Sequence, residues 1–113
     1  MEVRVHYSEK KPDVYVMEIE GRIDAHTAGK VEEELQSLKE KNIVKIIVDF
    51  EKVNYISSGG LRVFLTALKW TRAQSGDLKL VNLVPNVEKI FKLAGFTRLF
   101  NILNDRESAL EAF

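Results

Sequence analysis

Polar and apolar residues alternate from Val3 to Tyr7, the two-residue period of a half-buried strand. The polar stretch Glu9-Lys10-Lys11-Pro12-Asp13 supplies a turn, and Val14, Val16 and Ile19 begin a second strand that Gly21 ends. Together they predict an antiparallel hairpin. From about Thr27 to Lys41 the period lengthens: Ala28, Val31, Leu35 and Leu38 recur at steps of three and four, the stripe of an amphipathic helix. Glu32, Glu33 and Glu34 lie early in that helix and Lys39 and Lys41 late, which suits its dipole, and Asn42 is the expected stop. Ile43-Val44-Lys45-Ile46-Ile47-Val48 is short, β-branched and almost wholly apolar, as a central strand covered on both faces would be.

After the mixed stretch from Asp49 to Ile56 comes the turn Ser57-Ser58-Gly59-Gly60, then a helix to about Gln74 with Leu61, Phe64, Leu65 and Leu68 on its core stripe. Ser75-Gly76-Asp77 breaks it ahead of a strand over Leu78 to Val81. Pro85 suits a first helical turn, and Val87, Ile90, Phe91 and Ala94 mark a short helix closed by Gly95. Phe100 to Leu103 reads as a last short strand, and Asp105 as the cap of a final helix carrying Ala109, Leu110 and Phe113. The order is β-β-α-β-α-β-α-(β)-α. Right-handed crossovers then give an α/β fold: a mixed central sheet of four to five strands, its parallel core packed by helices and the hairpin strand added antiparallel. No repeat, linker or low-complexity stretch interrupts it, so residues 1–113 read as one domain.

Composition narrows the chemistry. Apolar residues make up 45% and charged residues 30% of the 113, a globular balance, and a chain of this size buries roughly two-thirds of its unfolded surface without metals or cross-links. The 17 basic and 17 acidic residues cancel, which removes the bulk electrostatic argument for direct nucleic-acid binding. Without cysteine there is no disulfide, thiolate nucleophile or Cys-type zinc site. No apolar run is long enough to insert across a membrane, and the N-terminal residues lack a signal peptide's apolar core, so a cytoplasmic protein is expected.

The serine–glycine turn is the candidate site, because functional groups in α/β sheets gather where strands end and helices begin. Either Ser57 or Ser58 can cap the helix, and Gly59 and Gly60 leave bare backbone that another molecule can approach. The same residues also describe a plain capped helix start. A phosphate loop is disfavoured by the missing lysine and spacing of a Walker motif, and a nucleophile elbow by the misfit to G-x-S-x-G. The only histidines are His6, near the terminus, and His26, which reads as a surface or capping residue, so a small serine hydrolase is a distant alternative. A third reading is a serine that another protein modifies. Val63, Ala67 and Trp70 form a face beside the core stripe. There Trp70 covers a core edge or, if exposed beside Arg62, anchors a partner.

The stretch Val53-Asn54-Tyr55-Ile56-Ser57-Ser58-Gly59-Gly60-Leu61-Arg62-Val63 resembles the signature of STAS domains, specifically bacterial anti-sigma factor antagonists. Glu20-Gly21-Arg22-Ile23-Asp24 with Ala28, Val31 and Leu35 is similar to that family's first helix and the G-x-[IL]-D segment before it. Leu80-Val81-Asn82-Leu83 with Val87, Ile90, Phe91, Leu93 and Gly95-Phe96 is similar to its C-terminal half. The resemblance implies a non-enzymatic module without cofactor or metal, a monomer or weak dimer. Its partner would be an anti-sigma factor of the serine-kinase type, which binds ATP and phosphorylates the serine of an Asp-Ser-[Ser/Thr]-Gly-Leu motif. Aligning on Gly60-Leu61 puts that acceptor at Ser58, with Ser57 where the aspartate commonly stands and Gly59 at the second hydroxyl. Asp24, Ser57, Ser58, Gly59, Gly60 and Arg62 are the expected partner-binding residues, Asp24 reading equally as a cap for the first helix. An accessory subunit of a membrane-transport or stress-signalling assembly is the alternative within the family.

Overall fold

A computed structural model describes all 113 residues. The hairpin forms as expected: β1 (Glu2–Tyr7) runs antiparallel to β2 (Val14–Ile23), with Val3 opposite Ile19 and Val5 opposite Met17. The chain continues through α1 (Ala28–Glu40), β3 (Lys45–Ile56), α2 (Ser58–Ala73), β4 (Asp77–Val81) and α3 (Pro85–Leu93). A short 3₁₀ turn at Phe96–Arg98, β5 (Asn101–Leu103) and α4 (Arg106–Glu111) complete it. The strands lie in chain order, β1-β2-β3-β4-β5, and every pairing after the first is parallel. The result is an α/β fold with a five-stranded mixed sheet.

Alternation along the strands divides the interior in two. Met17, Ile46, Val48, Phe50, Leu78 and Leu80 face the stripes of α1, α2 and α3, where Val31, Leu35, Phe64, Leu68 and Phe91 are buried. Phe50 sits at the centre of this layer, its ring 5.2 Å from Phe64 and 5.8 Å from Phe91. Val14, Val16, Ile47 and Val81 face the other way and are covered around Ala109 of α4, with Leu110 and Phe113 alongside. So short a helix holds its place through charged anchors. The Arg106 Nε donates to the buried Asp49 carboxylate at 2.6 Å, and its other arm pairs with Glu18. Asn82 and the Glu51 N–H also donate to Asp49, at 3.2 and 2.9 Å. Lys79, buried on β4, lies 4.4 Å from the Phe113 ring and donates to Asp77 at 3.0 Å.

Two boundaries differ from expectation. Gly21 does not end β2; with φ of 116° it carries the strand through an irregularity, and pairing continues to Ile23. β3 likewise does not stop at Val48 but runs to Ile56, paired with β2 throughout and with two shifts of register. Both strands are thereby long enough to end side by side.

Candidate functional site

β2 and β3 finish together. Ile23 stands opposite Ile56, and the Ser57 N–H donates to the Ile23 carbonyl at 2.8 Å. The turn that follows β2 and the turn that follows β3 are therefore neighbours at the carboxyl end of the sheet. The first turn of α3 joins them there, since the Asn86 side-chain amide donates to the Asn54 carbonyl at 3.0 Å.

In the first turn, the Asp24 carboxylate accepts from the backbone N–H groups of His26 at 2.9 Å and Thr27 at 3.2 Å, and from Arg22 Nε at 3.2 Å. These bonds, the His26 N–H foremost, hold the Asp24 carboxyl below the usual carboxylate range. Thr27, not Asp24, stands at the N-cap position of α1, and its hydroxyl donates back to the Arg22 carbonyl at 2.6 Å. Asp24 thus folds the loop one turn ahead of the helix. The Arg22 guanidinium lies 4.1 Å from the centre of the Tyr55 ring, its neighbour across the two strands.

In the second turn the two serines separate in role. Ser57 is the N-cap: its hydroxyl oxygen accepts from the Gly60 N–H at 3.1 Å and its carbonyl from the Leu61 N–H at 2.9 Å. Ser58 is the first helical residue, exposed, and its hydroxyl is bonded to nothing in the protein. The glycines separate as well. Gly59 is exposed, and a Cβ there would come no nearer than 3.8 Å to the Ser57 hydroxyl. Gly60 is buried, and a Cβ there would stand 2.7 Å from Ile23 Cγ2 and 2.9 Å from Ile56 Cγ1. Gly60 therefore leaves the expected partner-binding set: its missing side chain lets α2 press onto the ends of β2 and β3, and no visiting molecule reaches its backbone. Arg62, one turn beyond Ser58, is exposed and forms no ion pair.

The structure accordingly brings Asp24, Ser57, Ser58, Gly59 and Arg62 to one end of the sheet. Trp70 lies elsewhere. It is half-buried between α1 and α2, with Lys39 Nζ 6.0 Å from its ring, and twelve residues of helix put it about 18 Å from Ser58. Its inner side covers a core edge, and its outer side is open to solvent. Arg22, Tyr55 and Asn86 belong to the site's surroundings and were not singled out from the chain. Their proximity depends on strand register and on a helix start some thirty residues away, and only the pairing of β2 with β3 could have signalled the first two. As chemistry, the site offers a free hydroxyl and unpaired N–H groups at a helix start, an arrangement that accommodates an anion. Neither histidine ring bonds to Ser57 or Ser58; the His26 contact is its backbone N–H donating to Asp24, and Ser57 accepts from the Gly60 N–H. No helix is long and apolar enough to cross a membrane.

The profile of the STAS domain matches residues 8–109. A protein of Bordetella bronchiseptica, named as a candidate anti-sigma factor antagonist, is 36% identical over 95 residues, 84% of this chain and 82% of its own. The anti-sigma-B factor antagonist of Listeria monocytogenes is 31% identical over 104 residues, 92% of this chain and 91% of its own. Among solved structures, the anti-sigma factor antagonist SpoIIAA in its unphosphorylated form superposes with a TM-score of 0.82 at 20% identity, covering 98% of this chain and 95% of that one. The phosphorylated form superposes at 0.75 and 18% identity, covering 99% and 100%.

Proposed function

Because the chain belongs to the STAS domain family, we propose that it is an anti-sigma factor antagonist that docks on a kinase-type anti-sigma factor and is released when Ser58 is phosphorylated. One observation carries the choice of residue. Of the two adjacent hydroxyls, that of Ser57 is engaged in capping α2 and that of Ser58 is exposed and free. In the transfer, Ser58 Oγ attacks the γ-phosphorus of ATP held by the partner. The bond to the β-phosphate oxygen breaks, ADP leaves, and the hydroxyl proton passes to a base on the partner. The domain supplies an acceptor and a docking surface, and acts as a binding regulator, not as an enzyme.

The electrostatics decide where the modification is felt. A phosphate adds roughly −1.5 to −2 charges, and at the start of a helix the dipole favours that charge, so the fold is left nearly unchanged. The docked partner is different. A like-charge pair at about 4 Å costs roughly 4 kcal/mol at an effective dielectric near 20, about three decades of affinity before screening. The nucleotide that the partner holds for the transfer provides such charge. Titration calorimetry with a purified anti-sigma kinase tests this. Ser58→Asp should weaken binding by tenfold or more while melting within a few degrees of wild type. Peptide mass mapping after ATP addition should place one phosphate on Ser58 and none on Ser57. A Ser58→Asp protein that binds like wild type would end the proposal.

A further inference from the structure

A groove of about 500 Å³ runs between α1 and α2, away from the Ser58 turn, and the phosphorylation reading leaves it unused. Its floor is apolar: Leu35 of α1 meets Val63, Ala67 and Trp70 of α2, with Val63 and Trp70 only half-covered. Its rim is acidic. Glu32, Glu33 and Glu40 are exposed along it and enter no ion pair, and Lys39, the one rim cation, lies toward the Trp70 ring instead. The chain as a whole is neutral, so this excess of carboxylate is local to the groove.

We infer that the α1–α2 groove is a docking site for a basic amphipathic helix of a partner protein. Helices pack by laying the ridges of one into the groove of another, at axial separations of about 8–10 Å, and the thirteen residues of α1 present about 20 Å of wall, room for some three turns of a visitor. Apolar side chains at positions three and four apart would enter between Val63 and Trp70. Lysines or arginines flanking that stripe would meet the unpaired glutamates, while an acidic helix would be repelled. A tryptophan half-exposed in a concave apolar floor is the residue type that most often dominates such an interface. The docking does not depend on Ser58, and its failure would leave the phosphorylation reading untouched.

Trp70 is the only tryptophan, so its emission reports the groove directly. The full chain is titrated, without kinase or nucleotide, with a tryptophan-free helical peptide of leucine and lysine roughly 12–14 residues long, and in parallel with the same peptide carrying glutamate for lysine. The expected result is a saturable blue shift with the lysine peptide and none with the glutamate peptide. The Glu32→Lys/Glu33→Lys protein should bind the lysine peptide about tenfold more weakly. Glu88→Lys/Glu107→Lys, which changes the net charge equally at exposed positions outside the groove, should bind as wild type. Any of three results would overturn the inference: no saturable shift, equal response to both peptides, or equal weakening by the two double variants. A shift that appears on concentrating the protein alone would assign the groove to a second copy of the chain and overturn it too.

Discussion

Gly59 and Gly60 are adjacent, both in the first turn of α2, and a sequence-based propensity scale treats them alike: alanine in place of either should stabilise a helix by up to about 1 kcal/mol. The structure separates them. At Gly59 the added methyl meets nothing closer than 3.8 Å, and the propensity gain stands. At Gly60 it falls 2.7 Å from Ile23 Cγ2 and 2.9 Å from Ile56 Cγ1. Those are branch atoms next to the backbone of two buried, β-branched side chains, each held to a preferred rotamer, so neither swings aside. Relief requires α2 to lift from the ends of β2 and β3, an overpacking cost of roughly 1–3 kcal/mol that exceeds the propensity gain. Urea unfolding followed by far-ultraviolet circular dichroism should therefore find Gly59→Ala at or slightly above wild-type stability and Gly60→Ala below it by about 1–2 kcal/mol. Because the lift would shift Ser57 and Ser58 together, Gly60→Ala should also be phosphorylated more slowly at Ser58. A Gly60→Ala protein as stable as Gly59→Ala would refute the close packing on which the position of the site depends.

Three further outcomes follow from the charged contacts. Arg106→Met strands the buried Asp49 carboxylate with only Asn82 and a backbone N–H, and since the Arg106 side chain is 37% exposed the loss should be about 2 kcal/mol, less than for a wholly buried pair; an unfolding midpoint unchanged within error would refute it. Burial pushes the Asp77 carboxyl up, but hydrogen bonds from Lys79 and Arg72 outweigh it and hold the group below 3.8, so its stabilisation is complete above the unfolded value and lost as pH falls through the folded one. Stability measured from pH 6 downward should decline below about pH 4, and less steeply in Asp77→Asn than in wild type; parallel acid limbs would count against this role. Ser57→Asp should retain the cap and the wild-type melting temperature while weakening docking on the anti-sigma partner less than Ser58→Asp does, and a large loss of stability would show that the hydroxyl is required for more than capping.

The order of elements, the hairpin, the parallel centre and the site's location between β3 and α2 were legible because each rests on a local pattern. Asn42 and Gly95 stop their helices with φ of 59° and 76°, and Asp105 caps α4 by accepting from the Ser108 N–H, all as their residue types foretell. The second half of β3 was illegible for a definite reason. Its inward residues Phe50, Val53 and Ile56 are spaced by three, not two, because β3 slips twice against β2: Glu18 pairs with Asp49, Glu20 with Lys52, and Arg22 with Tyr55. Each slip adds a residue to β3 and breaks the alternation from which a strand is recognised. Gly60's role was missed through a different gap. A glycine that frees the backbone and one that makes room for a neighbour are the same letter, and the contacts with Ile56 and with Ile23, thirty-seven residues earlier, tell them apart.

The two glycines and two serines also explain how a change at one atom can be confined to the surface. The resemblance implies an aspartate where Ser57 stands, and the two residues cap a helix about equally well, because the Gly60 N–H needs only an oxygen acceptor. What the exchange alters is charge. With a neutral cap, the Ser57-Ser58-Gly59-Gly60 turn carries no side-chain charge, and in the neighbouring turn the half-buried Asp24 carboxylate is already bound by two backbone N–H groups and Arg22. Adding a phosphate of roughly −1.5 to −2 charges makes the turn anionic, where an aspartate at position 57 would already have given it one negative charge. Meanwhile the groups that fix α2 to the sheet, the Ser57 cap and the bare Gly60 contact, lie on the inner side of the turn and are untouched. On the proposed reading, a new negative charge on a rigid support is the whole of the switch, and it requires no movement of the fold.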